Sequence, residues 1–491
     1  MKTTYPGAII PPGSRTELEN TMQRFKHAAK RGPALLTCLL AALLLAGCEN
    51  ETGSTPLGGG EDAHDHDHDH DHGDHPGRLV IASSDGAGDQ LYMYDLEEQA
   101  LLPGSLSLNS APSALYTSPG KRFVLAPQRS ANQVQILDGG LYVHDDHVHE
   151  DAPSMAGTLN GPAPTHYRVH GEQAALFYDG DAGNAIMARV ELLTDASLEN
   201  GGSVASQTLD SAHHGVAEPR GDILLATYRT AANGLPEKVD IYHQHNDHYH
   251  REDTVNLDCP GLHGAGSNED YSVFGCSDGI LIVHQDGETF TAQHVDNATL
   301  GLTGSERVGS FDSHHELPHF VAYAGDRILI IHPEDGDAEE LDWTEGADVS
   351  LDNHSLDPHG EHLVLLDDAG DLRIFDTADW SEHAHVEDAV DPSTAPAASG
   401  HGSRIAMAVA GEPAHVFLAD PGNDAIVVVH LEEGEREDPL PLTFTPGKLA
   451  WVGLAGEPAH GDDEHDHDHD HEGEDHDHDH EDEEHDHDHE H

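Results

Sequence analysis

A repeat constrains this chain more than any other feature of its sequence. Within residues 113–138, the run Ala-Leu-Tyr-Thr-Ser-Pro-Gly-Lys-Arg-Phe-Val-Leu-Ala is followed by Val-Gln-Ile-Leu-Asp. Strand, glycine turn, strand, loop, strand is the order of a propeller blade. Similar units begin near Thr165, His213, Leu262, His314, Asn353 and Ser403, a spacing of roughly 40 to 50 residues, as blades of four strands require. Between residues 78 and 456 short apolar runs alternate with Gly, Asp, Asn and Pro, and long helical periodicity is absent. Residues 79–96 supply two strands and no innermost one, whereas residues 448–454 form a strand with nothing after it to pair with. Joining the two would close a ring. The expectation is an all-β fold, a β-propeller over residues 78–456 with eight blades, or seven if one weak unit is an insertion. A β-sandwich with a second domain is the competing architecture.

The flanks of this region differ in composition. The chain has 491 residues, a formal charge of -71 and 45 histidines, and much of both charge and histidine sits in two terminal runs of alternating His and Asp. Residues 48–77 and 457–491 have almost no apolar content to offset the entropy of ordering, so they read as a disordered tether and a disordered tail. Such a charge repels nucleic acid and anionic lipid headgroups and concentrates cations, so no nucleic-acid partner is expected. Ahead of the tether, Arg24, Lys26, Lys30 and Arg31 precede an apolar run, residues 34–46, that is too short to span a bilayer comfortably. Leu45-Ala46-Gly47-Cys48 is a lipobox pattern, which predicts removal of residues 1–47 as a signal sequence, a lipid on Cys48, and a membrane-anchored lipoprotein of the periplasm. Met22 is an alternative start. Cys38 leaves with the signal, and in an oxidising compartment Cys259 and Cys276 favour a disulfide. A thiolate metal site is the weaker reading, because no Cys-x-x-Cys spacing is present.

Histidine carries the chemistry. In the terminal runs, His64, His66, His68, His70 and His72 at the front and His465, His467, His469, His471, His476, His478, His480, His485, His487 and His489 at the end alternate with acidic residues. An extended chain puts residues i and i+2 on one side, so imidazoles line one edge and carboxylates the other. Imidazole suits zinc, copper and nickel, but no fixed geometry is implied, and weak to moderate binding of several ions is expected. Inside the repeat region His166, His213, His214, His263, His314 and His354 recur at or just before an innermost strand. Innermost strands line the central channel, so these rings are expected to converge at one mouth of it. The loop containing His144, His147 and His149 is expected to fold over that mouth and complete a site with His166. His243, His245, His248 and His250 fall in the outer part of a later blade, where an auxiliary surface site or none is the favoured reading. No GxSxG, Walker or dinucleotide pattern stands between suitable elements, and Asp179-Gly180 and Asp278-Gly279 read as hairpin turns.

These residues carry a family resemblance. Asp138-Gly139-Gly140-Leu141 leading into the His/Asp loop, Pro164-Thr165-His166-Tyr167, and His213-His214-Gly215-Val216-Ala217 take part in it. So do Cys259-Pro260-Gly261-Leu262-His263-Gly264, Phe274-Gly275-Cys276, and His314 ahead of Leu317-Pro318. Over residues 78–456 the chain resembles the AztD family of periplasmic zinc metallochaperones. The resemblance implies a β-propeller that binds zinc through propeller histidines aided by a His/Asp-rich segment, here His166 and the 144–150 loop. It further implies a non-enzymatic carrier that hands zinc, as cargo, to the solute-binding protein of a zinc ABC importer. The lipobox and the long His/Asp tail depart from a soluble family and suggest a tethered local reservoir. Two other readings compete: a propeller scaffold whose tails merely buffer metal, and a secreted metal-dependent hydrolase of lactonase type, which would need carboxylates and Asn around one ion.

Overall fold

The computed structural model describes residues 76–144, 147–396, 402–411 and 413–454. The signal sequence, Cys48, the tether and the tail lie outside the described residues. The chain divides into compact units 1–69 and 70–491, and every described residue belongs to the second.

Eight blades follow one another in this unit, each of four strands except the first, where two short segments, Ala100–Leu101 and Leu106–Ser107, share the outermost place. The ring closes as the unpartnered ends of the sequence require: Pro446–Val452 pairs antiparallel with Arg78–Ser83, setting Val452 opposite Arg78 and Leu449 opposite Ile81. This supplies the innermost strand of blade one from the end of the chain. The other innermost strands are Tyr116–Thr117, Pro164–His170, Ala217–Arg220, Ala265–Ser267, Ser310–Asp312, Leu351–Leu356 and Met407–Val409. Blades three and four are further joined by a single parallel bridge between Ser206 and His248 at their outer edge.

The strands are apolar on both faces because each blade is packed on both sides. In Ile223–Tyr228 of blade four, Leu224 and Ala226 pack on Phe177 and Val190 of blade three. Ile223 and Leu225, which point the other way, pack on Phe274, Leu281 and Val283 of blade five. The two-residue alternation of side chains thus serves two neighbours at once. Each such buried side chain contributes about 1.5–3 kcal/mol.

Chain direction gives the ring two distinct faces. Innermost strands all begin at one face, called here the front, and end at the other, the rear; the second strand returns and the third runs rearward again. His170, at the rear end of its strand, lines a cavity of about 530 Å³ with Lys121, His314, Asp357 and Trp451. A disulfide joins Cys259 and Cys276, both fully buried, with Cα atoms 4.8 Å apart.

The Cys259–Cys276 bond closes a short loop that contains His263. Replacing both cysteines by Ala is expected to lower unfolding free energy by about 3 kcal/mol, the loop-closure value for this span, measured by denaturant titration against the unreduced protein.

Candidate metal centre

Three imidazoles meet at the front mouth of the channel. His166 is the third residue of Pro164–His170, His214 stands three residues before Ala217–Arg220, and His263 two before Ala265–Ser267. Three consecutive blades therefore each deliver one ring at the same height. Ligand nitrogens of the three lie within 4.8 Å of one another, and ring centroids are 4.8, 5.6 and 5.4 Å apart.

The second nitrogen of each ring determines what the first can do. His166 Nδ1 is 2.7 Å from the Gly215 carbonyl and His263 Nδ1 is 2.9 Å from the Gly309 carbonyl. A carbonyl only accepts, so both rings carry their proton on Nδ1. His214 Nδ1 faces a carboxylate oxygen of Asp179 at 3.0 Å, which fixes its proton in the same way. Nε2 is then the acceptor nitrogen of each neutral ring, and those of His214 and His263 face each other at 3.4 Å. Two lone pairs at this distance repel unless a cation lies between them. Tetrahedral ligands about 2.0–2.1 Å from zinc are about 3.3 Å from each other, close to the separation seen.

Local backbone chemistry builds this arrangement. Any side chain on residue 215 would run into Thr227 and Phe177, so Gly215 alone lets its carbonyl approach His166. Gly264 adopts φ +79°, where a Cβ would strike the Gly309 carbonyl that orients His263. The His263 amide donates to the Gly275 carbonyl at 2.9 Å, next to the disulfide. Asp179 follows the strand Gln173–Tyr178 and is held from behind by Arg129 at 2.6 Å. Burial pushes its carboxyl up, but the hydrogen bonds from His214 and Arg129 outweigh burial and hold it below the usual range. Its second oxygen is buried without a hydrogen-bond partner, an acceptor suited to a bound ion or its water. Burial likewise lowers His166 to about 4, with His214 and His263 pushing the same way; it stays neutral and able to ligate well below neutrality.

Other expected site residues stand elsewhere. His213 is adjacent to His214 but faces the opposite way, with Nδ1 3.0 Å from the Ser211 carbonyl and Nε2 3.0 Å from the Thr227 carbonyl; both nitrogens are spent within the fold. His314 follows the end, not the start, of Ser310–Asp312, which puts it at the rear mouth with Nε2 3.1 Å from the Pro358 carbonyl. His354 lies within Leu351–Leu356, 2.6 Å from Asp312 and stacked on Tyr323. The hairpin of Leu141–His144 and His147–Glu150 is inserted between the third and fourth strands of blade two. That connection is on the rear face, where Gly139 lies against Val452 and Arg122, so His147 and His149 are across the ring from His166. His149 is instead stacked on Tyr142. The expected joint site of this loop with His166 is therefore not formed, because the strand order leads the loop to the other face; residues 145 and 146 lie outside the described residues. The rear cavity is lined by Lys121 and Arg168 and by Asp312 and Asp357 beside its histidines. Near Cys276, Asp278 and His294 approach each other, but Cys276 is consumed in the disulfide.

Sequence reasoning missed Asp179 and Arg129, since an Asp-Gly pair reads as a turn wherever it occurs. Loss of the orienting carboxylate in Asp179→Asn is expected to weaken the tightest class of zinc binding by about 10–100-fold. His214→Ala and His263→Ala abolish that class and His314→Ala leaves it unchanged, all measured by competition with a chromophoric chelator.

No sequence-family profile matches the chain. Among solved structures, AztD from Citrobacter koseri in its apo form is similar, with a TM-score of 0.63, 20% identity, and coverage of 77% of this chain and 98% of AztD. A second crystal structure of Citrobacter koseri AztD gives a TM-score of 0.64 at the same identity and coverage. The ring of blades therefore has an AztD-type fold.

Proposed function

We propose that the protein is an extracytoplasmic zinc metallochaperone: it binds zinc at His166, His214 and His263 and passes it to the solute-binding protein of an ABC importer. The observation that carries this reading is the convergence of three Nε2 lone pairs whose Nδ1 protons are all fixed by oxygen acceptors. Three neutral imidazoles leave one coordination position of a tetrahedral ion open. An incoming ligand from a partner can occupy that position before any histidine lets go, which is what transfer by ligand exchange needs. The AztD-type fold and the family resemblance of the sequence support zinc as cargo. The terminal His/Asp runs would gather ions by mass action and feed the tighter site. Lipidation at Cys48 would hold the protein at a periplasmic membrane surface, close to an importer.

A scaffold that only buffers metal in its tails has no use for three oriented rings at the channel mouth. A three-histidine ion can also activate water, but a hydrolase would further need a substrate cleft at the front mouth. The exchange reading is tested by mixing zinc-loaded full-length protein with the apo solute-binding protein of a zinc importer in the presence of a competing chelator. Transfer is expected to accelerate with acceptor concentration and to disappear in His214→Ala; transfer limited by spontaneous zinc release, at one rate for all acceptor concentrations, contradicts direct exchange.

Acid should strip the two classes of site in order. Histidine in an open chain protonates around pH 6.5 and then cannot ligate. His166 is held neutral down to about 4. As pH falls through about 6 the terminal runs are expected to lose zinc first. Zinc retained by the full-length protein after desalting at stepped pH should show an early and a late loss, the late one missing in the His166→Ala, His214→Ala, His263→Ala variant.

A further inference from the structure

The outer hairpin of blade four carries four more imidazoles on one face. Lys238–His245 and His248–Thr254 pair so that His245 stands opposite His248 and His243 opposite His250. Alternation along the strands puts these four on a common side. It is the side that, further in, buries Val239 and Ile241 against blade five. The reverse side, with Tyr242 and Tyr249, packs on blade three and fixes the hairpin in place. Beyond the apolar contact the outer edges of blades four and five separate around a cleft of about 680 Å³. His243 and His245 line it with the carboxylates of Glu252, Asp253 and Glu288.

One pair in this cluster repeats the spacing seen at the channel mouth. His248 Nδ1 is 3.1 Å from an Asp247 carboxylate oxygen, which fixes its proton there and leaves Nε2 bare. That Nε2 is 3.3 Å from Nε2 of His250, about the spacing of two nitrogens sharing one tetrahedral ion. His245 flanks this pair, its ring centroid 4.9 Å from His250, 5.2 Å from His243 and 6.4 Å from His248, so it joins an ion held by His248 and His250 by turning its side chain inward. His245, His248 and His250 are exposed, so the cluster is open to solvent. Nothing in the packing of the ring requires imidazoles here.

We infer that His248 and His250, with His245 and His243 beside them on the same face, bind a second metal ion on the outer rim of the propeller, a divalent cation of the zinc, copper and nickel class. The cleft carboxylates supply negative potential, and the backbone register supplies the preorganisation that the terminal His/Asp runs lack. The site does not depend on the reading of the channel mouth.

The test is carbethoxylation of the full-length protein during a zinc titration, with modification of each histidine read by peptide mass mapping, so that the terminal runs do not obscure the result. Zinc is expected to protect His243, His245, His248 and His250 along one common curve, and the same curve should be found in the His166→Ala, His214→Ala, His263→Ala variant. His248→Ala with His250→Ala should remove protection from His243 and His245 while protection at the channel mouth persists. The inference is overturned if the wild-type hairpin rings stay unprotected at zinc levels that protect the terminal runs. It is equally overturned if His243 and His245 remain protected after His248 and His250 are gone. A failure confined to the channel-mouth rings would count against the proposed carrier site alone.

Discussion

The carrier site proposed for this molecule depends on where three protons sit. Imidazole has two nitrogens, and a ring binds metal only through one that lacks a proton. At the channel mouth two backbone carbonyls and one carboxylate hold the Nδ1 protons of His166, His263 and His214. The three Nε2 atoms are thereby the acceptor nitrogens, gathered within reach of one cation. The orientation that binding needs is built in before the ion arrives.

The ring explains how a short-range arrangement is held by distant parts of the chain. Each ligand comes from a different blade, and the Nδ1 partner of His166 and of His263 comes from the next blade along: Gly215 and Gly309 each precede an innermost strand. His214 is oriented in the reverse direction, by Asp179 of blade three, with Arg129 of blade two behind it. The site therefore spans five successive blades. Its geometry depends on their spacing, which the clasp between Pro446–Val452 and Arg78–Ser83 fixes by closing the ring.

Much of the fold was legible in the sequence because the repeat is a local signal with a long-range consequence. The positions of the units near Thr165, Leu262 and Asn353 match innermost strands that begin at Pro164, Ala265 and Leu351. The partnerless final strand pointed directly to the clasp. The site was legible only in part. Position in the repeat set His166, His214 and His263 at one height, but the same reasoning gave His314 and His213 equal standing. A shift of a few residues moves His314 from the start of its strand to the end, across the full depth of the ring. His213 differs from His214 only in the direction of its side chain, which is decided by Ser211 and Thr227. Strand order likewise leads the His147 and His149 hairpin to the rear face, although its composition made it look like a lid. Asp179 could not be singled out among the many Asp-Gly pairs, since its role comes from a blade contact. For the four histidines of the blade-four hairpin the sequence alone left an auxiliary surface site or none, since only the cross-strand register sets His245 beside His248 and His243 beside His250.

The most direct test is anomalous diffraction at the zinc edge from crystals of the zinc-loaded full-length protein. An anomalous peak about 2.0–2.1 Å from Nε2 of His166, His214 and His263 together, with each Nδ1 still against its oxygen, is the predicted result. A channel mouth without a peak, or with the rings turned so that Nδ1 faces inward, would contradict the account.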